Sequence, residues 1–432
     1  MNRRILRIAI PSIVSNITVP LLGLADVTIV GHMGDAAYIG AIAVGGMLFN
    51  ILYWNFGFLR MGTSGLTSQA YGRKERREEM RVLTQAVSVG LLSALVILLV
   101  QYPVERVAFG LLEASGEVEV HAVRYFRVCV WGAPAVLMMY GLKGWFIGMQ
   151  NSRFPMYVAI AVNCINILCS VGFVFGLGMK IEGVALGTVV AEWCGLALAV
   201  GLWMRRYGNL RRYFTVRGSL RVSAMKRFFS VNRDIFLRTL CLIAVTVFFT
   251  STGAKQGDVV LAVNTLLMQL FTLFSYVMDG FAYAGEALVG RYVGACDAEG
   301  IRRVVRNLFG WGIGLALFFT LLYGVGGERF LGLLTGERGV VEEAGRYFYW
   351  ALAVPFAGFA AFLWDGILIG ATATRLMLRA MSVAAAAFFL LYYFFPGGQD
   401  NHALWASFLV YLLLRGVLQT YWGRVILRKE TA

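Results

Sequence analysis

Apolar stretches of about twenty residues recur along the whole chain, separated by short polar connections. Each is long enough to cross, as a helix, the ~30 Å hydrocarbon core of a bilayer. Twelve spans are expected, at about 8–31, 37–70, 82–102, 120–148, 154–178, 182–204, 229–252, 258–290, 305–326, 343–370, 376–395 and 402–423. The alternating ten-residue segments of a membrane β-barrel are missing, so the backbone must be satisfied within helices. The expected fold is therefore an all-α integral membrane bundle. Pro11 and Pro20 lie inside the first span. Each removes a helix hydrogen bond, so that span is able to bend.

Composition agrees with this pattern. The 432 residues are 59% apolar and 15% charged, against about 25% charged in a typical soluble domain. A net charge of +15 suggests a nucleic-acid partner, but its placement argues against one. Lys and Arg cluster at every second connection, which is the positive-inside pattern of a multi-pass inner-membrane protein. The connections expected outside carry few: Arg106, Lys180, Lys255, Arg329 and Arg338. Both termini are thus expected in the cytoplasm. RRYGNLRRYFTVRGSLRVSAMKR (205–227) is the most basic connection and is expected to lie along an anionic inner leaflet. No cleavable leader is expected, because MNRRILR runs straight into an apolar segment. The six cysteines lack metal-ligand spacing and read as small hydrophobes. No metal or cofactor is expected.

The chain also matches itself at an offset of 222 residues. KGWFIGMQNSR (143–153) aligns with DGILIGATATR (365–375), Tyr125 and Phe126 with Tyr347 and Phe348, and Gly72 with Gly294. An even number of spans per half gives two parallel six-helix repeats around a central cleft, suited to alternating access. The expected domains are a bundle at 1–210, a basic linker at 211–228 and a second bundle at 229–432. The halves are chemically unequal: Asp26 falls opposite Phe248, and Lys143 opposite Asp365.

Charged residues within spans are costly, at least about 2.5–3.5 kcal/mol at a bilayer centre, and commonly mark ion or proton pathways. Asp26, in GLADVTIVGHMGD, is the foremost candidate. Asn163, Asn166 and Ser170 share one face of the fifth span and, with Thr188 on the sixth, form a possible hydrogen-bonding pocket for Asp26. Loss of water favours the neutral acid and hydrogen bonds favour the ion, so such a carboxyl can exchange a proton. These amides and hydroxyls serve equally well as interhelical contacts. In the second half Asp279, Glu286 and Asp365 are suited to drawing cations into a cavity. Alternatively, Asp279, Asp365, Lys143 and Arg415 form ion pairs between helices. Glu192 reads as a second protonatable site or a partner for a basic residue. Hydrolase, zinc-protease and nucleotide-binding motifs are missing, so the chain reads as a transporter driven by an ion gradient and not as an enzyme.

ADVTIVGHMGD after the proline-containing first span, NILCSVGFVFGLGMKIEGVALGT across spans five and six, and MDGFAYAGEALVGRYVG closing span eight resemble the MATE (multidrug and toxic compound extrusion) family. The similarity is greatest to its DinF-type branch. This resemblance implies an antiporter that expels organic, often cationic compounds against inward H⁺ or Na⁺. It implies that Asp26 is the protonation or ion site, with Asn166 and Thr188 beside it, and that the first span bends at Pro11. It also implies roles for the span-eight pattern from Asp279 to Glu286 and the span-ten pattern from Asp365 to Gly370. Ser170 stands where the family usually has Asp, which favours H⁺. The expected function is proton-coupled export of a small organic substrate by a monomer in the lipid bilayer. The alternatives are a Na⁺-coupled antiporter or a flippase for lipid-linked precursors.

Overall fold

The computed structural model describes residues 1–33, 36–111, 116–334, 337–396 and 398–429. All twelve expected spans are helical, and no strand occurs among the described residues. They are α1 (Asn2–Gly31), α2 (Ala37–Arg73), α3 (Arg76–Leu99), α4 (Gly116–Gly148), α5 (Arg153–Gly176) and α6 (Ile181–Tyr213). The second six are α7 (Val222–Lys255), α8 (Asp258–Gly294), α9 (Ala298–Gly327), α10 (Gly339–Gly370), α11 (Thr374–Tyr393) and α12 (Asn401–Arg424). Gly34 and Asp35 of the GHMGD turn lie outside the described residues.

Local departures from regular helix have local causes. α1 runs unbroken through Pro11 and Pro20. α2 breaks at Phe56, where Ala36–Asn55 meets Gly57–Arg73. Pro134 has no N–H to offer the Val130 carbonyl; Ala133 donates to it instead, and Val130–Gly132 tightens into a 3₁₀ turn. α5 closes in a single π-turn at Gly172–Gly176.

The chain divides into two compact units, Val14–Phe229 on one side and Met1–Ile13 with Ser230–Ala432 on the other. The first thirteen residues, which the expected bundle at 1–210 includes, thus group with the later helices. Contacts with the later helices hold them there. Arg4 donates to the Tyr292 hydroxyl at 2.7 Å, and Asn307 donates to the Asn2 side chain at 2.8 Å. Gly280 of α8 leaves room for α1, since a Cβ there would lie 2.9 Å from the Ala9 carbonyl oxygen.

The 222-residue repeat is visible in the backbone. Among the described residues, four that are not glycine have positive φ: Lys74 and Cys296 form one matched pair, Gln150 and Thr372 the other. Their turns are bonded alike, with Asn151 donating to the Phe146 carbonyl and Ala373 to that of Leu368. Glycine contacts repeat as well. A Cβ on Gly148 of α4 would meet the Ser64 carbonyl oxygen of α2 at 2.8 Å, and one on Gly370 of α10 would meet that of Glu286 of α8 at 2.7 Å. Gly144 against Arg60 and Gly366 against Ala282 form the next matched pair. Such small residues let membrane helices approach closely enough for packing to hold them.

Each unit buries its own aromatic core. In Val14–Phe229, Trp145 and Phe146 pack with Met80, Met139 and Leu142, and the Trp145 indole donates to the Glu79 carbonyl at 2.8 Å. In the other unit, Trp405 donates to Asn264 at 2.8 Å, and Asn264 and Asn401 exchange hydrogen bonds of 2.8 and 3.0 Å. The basic connection after α6 is pinned to its unit. Gln85 of α3 donates to the carbonyls of Ser219 and Ala224, Arg227 donates to Gln69, and Leu210 is buried.

Candidate functional site

Asp26 lies on the part of α1 that belongs to Val14–Phe229. It is 9% exposed. Its Oδ1 is enclosed with no hydrogen-bond partner among the described residues. Tyr125 and Cys129, one turn apart on α4, are its neighbours. Tyr125 also reaches Thr188. The Tyr125 ring fills the space left by Gly45 of α2, where a Cβ would meet it.

The expected amide and hydroxyl network forms between α5 and α6. Asn166 donates to Thr188 at 2.9 Å, and Ser170 donates to the Asn166 side-chain Oδ1 at 3.3 Å. Thr188 in turn donates to the Val184 carbonyl at 3.1 Å. Gly187 permits the approach, since a Cβ there would sit 2.9 Å from the Ser170 backbone nitrogen. Asn163 serves a different purpose, donating to the Thr18 carbonyl of α1 at 2.8 Å and tying α5 to α1. Tyr125 is thus a neighbour both of Asp26 and of Thr188 in the Asn166–Thr188–Ser170 network. An aromatic residue on an apolar helix carries no sequence signal for that role, although its match with Tyr347 marked the position.

The second-half carboxylates have other surroundings. Asp365 accepts from Arg238 and Arg415 at 2.6 Å each, and from Gln419 at 2.7 Å. Two guanidiniums on one carboxylate leave it no charge with which to draw a cation. The ion-pair alternative is realised for Asp365 and Arg415, with Arg238 as an additional partner. A sequence signal for Arg238 existed: it lies well inside the expected seventh span. Glu286 is buried at 1% exposure on α8. Asp279, two turns earlier, is half-buried near Tyr276. Among the described residues no group of His, Cys, Asp and Glu is arranged to hold a metal ion.

Twelve apolar helices, a structural duplication and a buried carboxylate in the first repeat define a polytopic membrane protein of the transporter class. The chain belongs to the MatE family, whose model matches residues 11–171 and again 235–394. It is 37% identical to the DNA damage-inducible protein F of Escherichia coli over 98% of this chain and 92% of that protein, in keeping with the DinF-type resemblance. It is 22% identical to a probable multidrug resistance protein NorM of Thermotoga maritima, over 75% of this chain and 69% of that one. Among solved structures, the Vibrio cholerae MATE transporter VcmN in its bent form superposes with a TM-score of 0.87 at 18% identity, covering 99% and 97% of the two chains.

Proposed function

We propose that this chain is a secondary active antiporter that exports organic, often cationic compounds in exchange for H⁺ by alternating access. Relatives named for multidrug resistance support the cargo class. The carrying observation for the coupling ion is Asp26, a nearly buried carboxyl with an oxygen that has no partner. An ionised carboxylate only accepts hydrogen bonds, whereas the protonated acid also donates one. Proton uptake therefore changes which partners Asp26 can hold, with the Tyr125 hydroxyl nearby. A ligand drives a conformational change only by binding two states unequally, and a proton on Asp26 supplies that difference. Pro11 and Pro20 are the proposed bending points of α1, and Asn163 is its proposed tether to α5. The protein is proposed to act as a monomer in the inner membrane with both termini in the cytoplasm.

The test is dye movement in proteoliposomes. A pH gradient alone should drive ethidium transport, and a Na⁺ gradient alone should not. Asp26→Asn should abolish the pH-driven movement while the protein remains folded in detergent. Transport that persists at wild-type rate in Asp26→Asn, or that requires Na⁺, would overturn the assignment.

A further inference from the structure

A cavity lies in the unit that holds Ser230–Ala432 and plays no part in the reading of Asp26. It sits where α10 has ended at Gly370, α11 begins at Thr374, and the early part of α7 passes beside them. Its volume is about 220 Å³. Ser230, Val231 and Asp234 of α7 line one side, and Thr374, Arg375 and Leu376 of α11 the other. Contacts between the two helices fix these walls. Thr374 donates to Asp234 Oδ2 at 3.1 Å, and two turns further along Cys241 of α7 meets Ser382 of α11 at 3.9 Å.

The cavity carries both signs of charge. Asp234 is buried, and its Oδ1 accepts from Arg233 at 3.1 Å. Its Oδ2 accepts from Thr374 alone among the described residues. A carboxylate has about four acceptor sites, so Oδ2 has capacity for another donor. Arg375 is exposed and makes no ion pair with a described residue, and the Ser230 hydroxyl makes no hydrogen bond with one. At the 222-residue offset Arg375 matches Arg153, whereas Asp234 matches Ser12, so this joining of charges belongs to the second half. The cavity lies at the ends of apolar spans, the depth at which lipid headgroups sit. Apolar side chains continue from it: Leu376 is half-buried at its edge, and Leu237, one turn beyond Asp234, is 39% exposed.

We propose that this cavity holds the headgroup of a phospholipid with a primary amine, of the phosphatidylethanolamine kind. Arg375 and the Ser230 hydroxyl take the phosphate, and Asp234 Oδ2 takes the ammonium. A phosphate without the amine meets Asp234 as a like charge, and an amine without the phosphate leaves Arg375 unanswered. A soluble phosphate ester of ethanolamine shares this chemistry. Leu237 and Leu376 favour the lipid, whose acyl chains cover them while its headgroup bridges α7 and α11. Basic cavities between membrane helices are known headgroup sites; the buried carboxylate adds selectivity for the amine.

Lipid competition isolates the amine. Phosphatidylethanolamine, phosphatidylcholine and phosphatidylglycerol with the same acyl chains are offered together to full-length protein in detergent, and native mass spectrometry counts those bound. The choline lipid keeps both charges but has no N–H to donate, and the glycerol lipid has no nitrogen. Wild-type protein should take the ethanolamine lipid about tenfold over either, the ratio expected of one charge-assisted hydrogen bond. Asp234→Asn should erase the preference over the choline lipid. Arg375→Gln, at an exposed position, should lower ethanolamine-lipid occupancy with the melting temperature unchanged, and Arg375→Lys should keep it. An equal concentration of glycerophosphoethanolamine, the headgroup without acyl chains, should leave the bound lipid in place. Equal occupancy by the three lipids, a lead for the glycerol lipid, displacement by glycerophosphoethanolamine, or a preference that survives both Asp234→Asn and Arg375→Gln would overturn the site. The assay needs neither gradient nor cargo, so its outcome and that of the antiport assay stand apart.

Discussion

Asp26 and Asp365 are the same residue type in helices of similar apolarity, with opposite surroundings. Asp26 has an oxygen without a partner, whereas Asp365 holds two guanidiniums and an amide. Removing one member of a buried ion pair costs about 3–5 kcal/mol because the remaining charge is stranded. Asp365→Asn, which leaves Arg238 and Arg415 facing each other, should therefore lower the melting temperature in detergent sharply. Asn166→Ala should cost only about 0.6 kcal/mol, the average for a polar contact between membrane helices. That small change should still disturb transport, since Asn166 links Ser170 to Thr188. The sequence exposed Asp26, Asn166, Ser170 and Thr188 because polar residues stand out on apolar helices. Cys129 did not stand out and Tyr125 did so only through its match with Tyr347, and the proximity of both to Asp26 depends on how α4 is rotated. The destination of Asn163, the Thr18 carbonyl, was equally hidden, since a backbone acceptor has no residue signature.

At the level of elements, the helix pairs α2–α4 and α8–α10 are set by glycine. Gly148→Leu forces a side chain into Thr67 and the Ser64 backbone. Overpacking of this kind costs about 1–3 kcal/mol, and the variant should show reduced yield and an earlier melt. The turns behave in the opposite sense. Thr372 has φ of 53°, in a region that β-branched residues rarely occupy. Thr372→Gly removes that strain and should raise stability by up to ~1 kcal/mol, measurable as a higher melting temperature. Span positions were legible from apolar length alone. The break at Phe56 was not, because it has no proline to mark it. The 3₁₀ turn at Val130–Gly132 has such a mark in Pro134.

For the molecule as a whole, the duplication was readable because Gly, Tyr and Arg recur in step through the two halves. The division of α1 was not, because both of its parts are equally apolar and only their neighbours distinguish them. The basic connection reads in sequence as a linker along the inner leaflet, and Gln85 secures it at two carbonyls. Gln85→Ala should release it, and limited trypsin digestion should then cut at Arg217 or Arg221 faster than in wild-type protein. The matched turns at Lys74 and Cys296, and at Gln150 and Thr372, carry a consequence of another kind. Side chains at these places have diverged completely while the chain path has not. Inheritance has thus kept the joinery of an ancestral half and let its chemistry drift: aspartate beside phenylalanine, lysine beside aspartate. A hybrid gene with one half's turn grafted into the other, 292–297 in place of 70–75, should yield a protein that folds, and its lineage could be rebuilt one joint at a time.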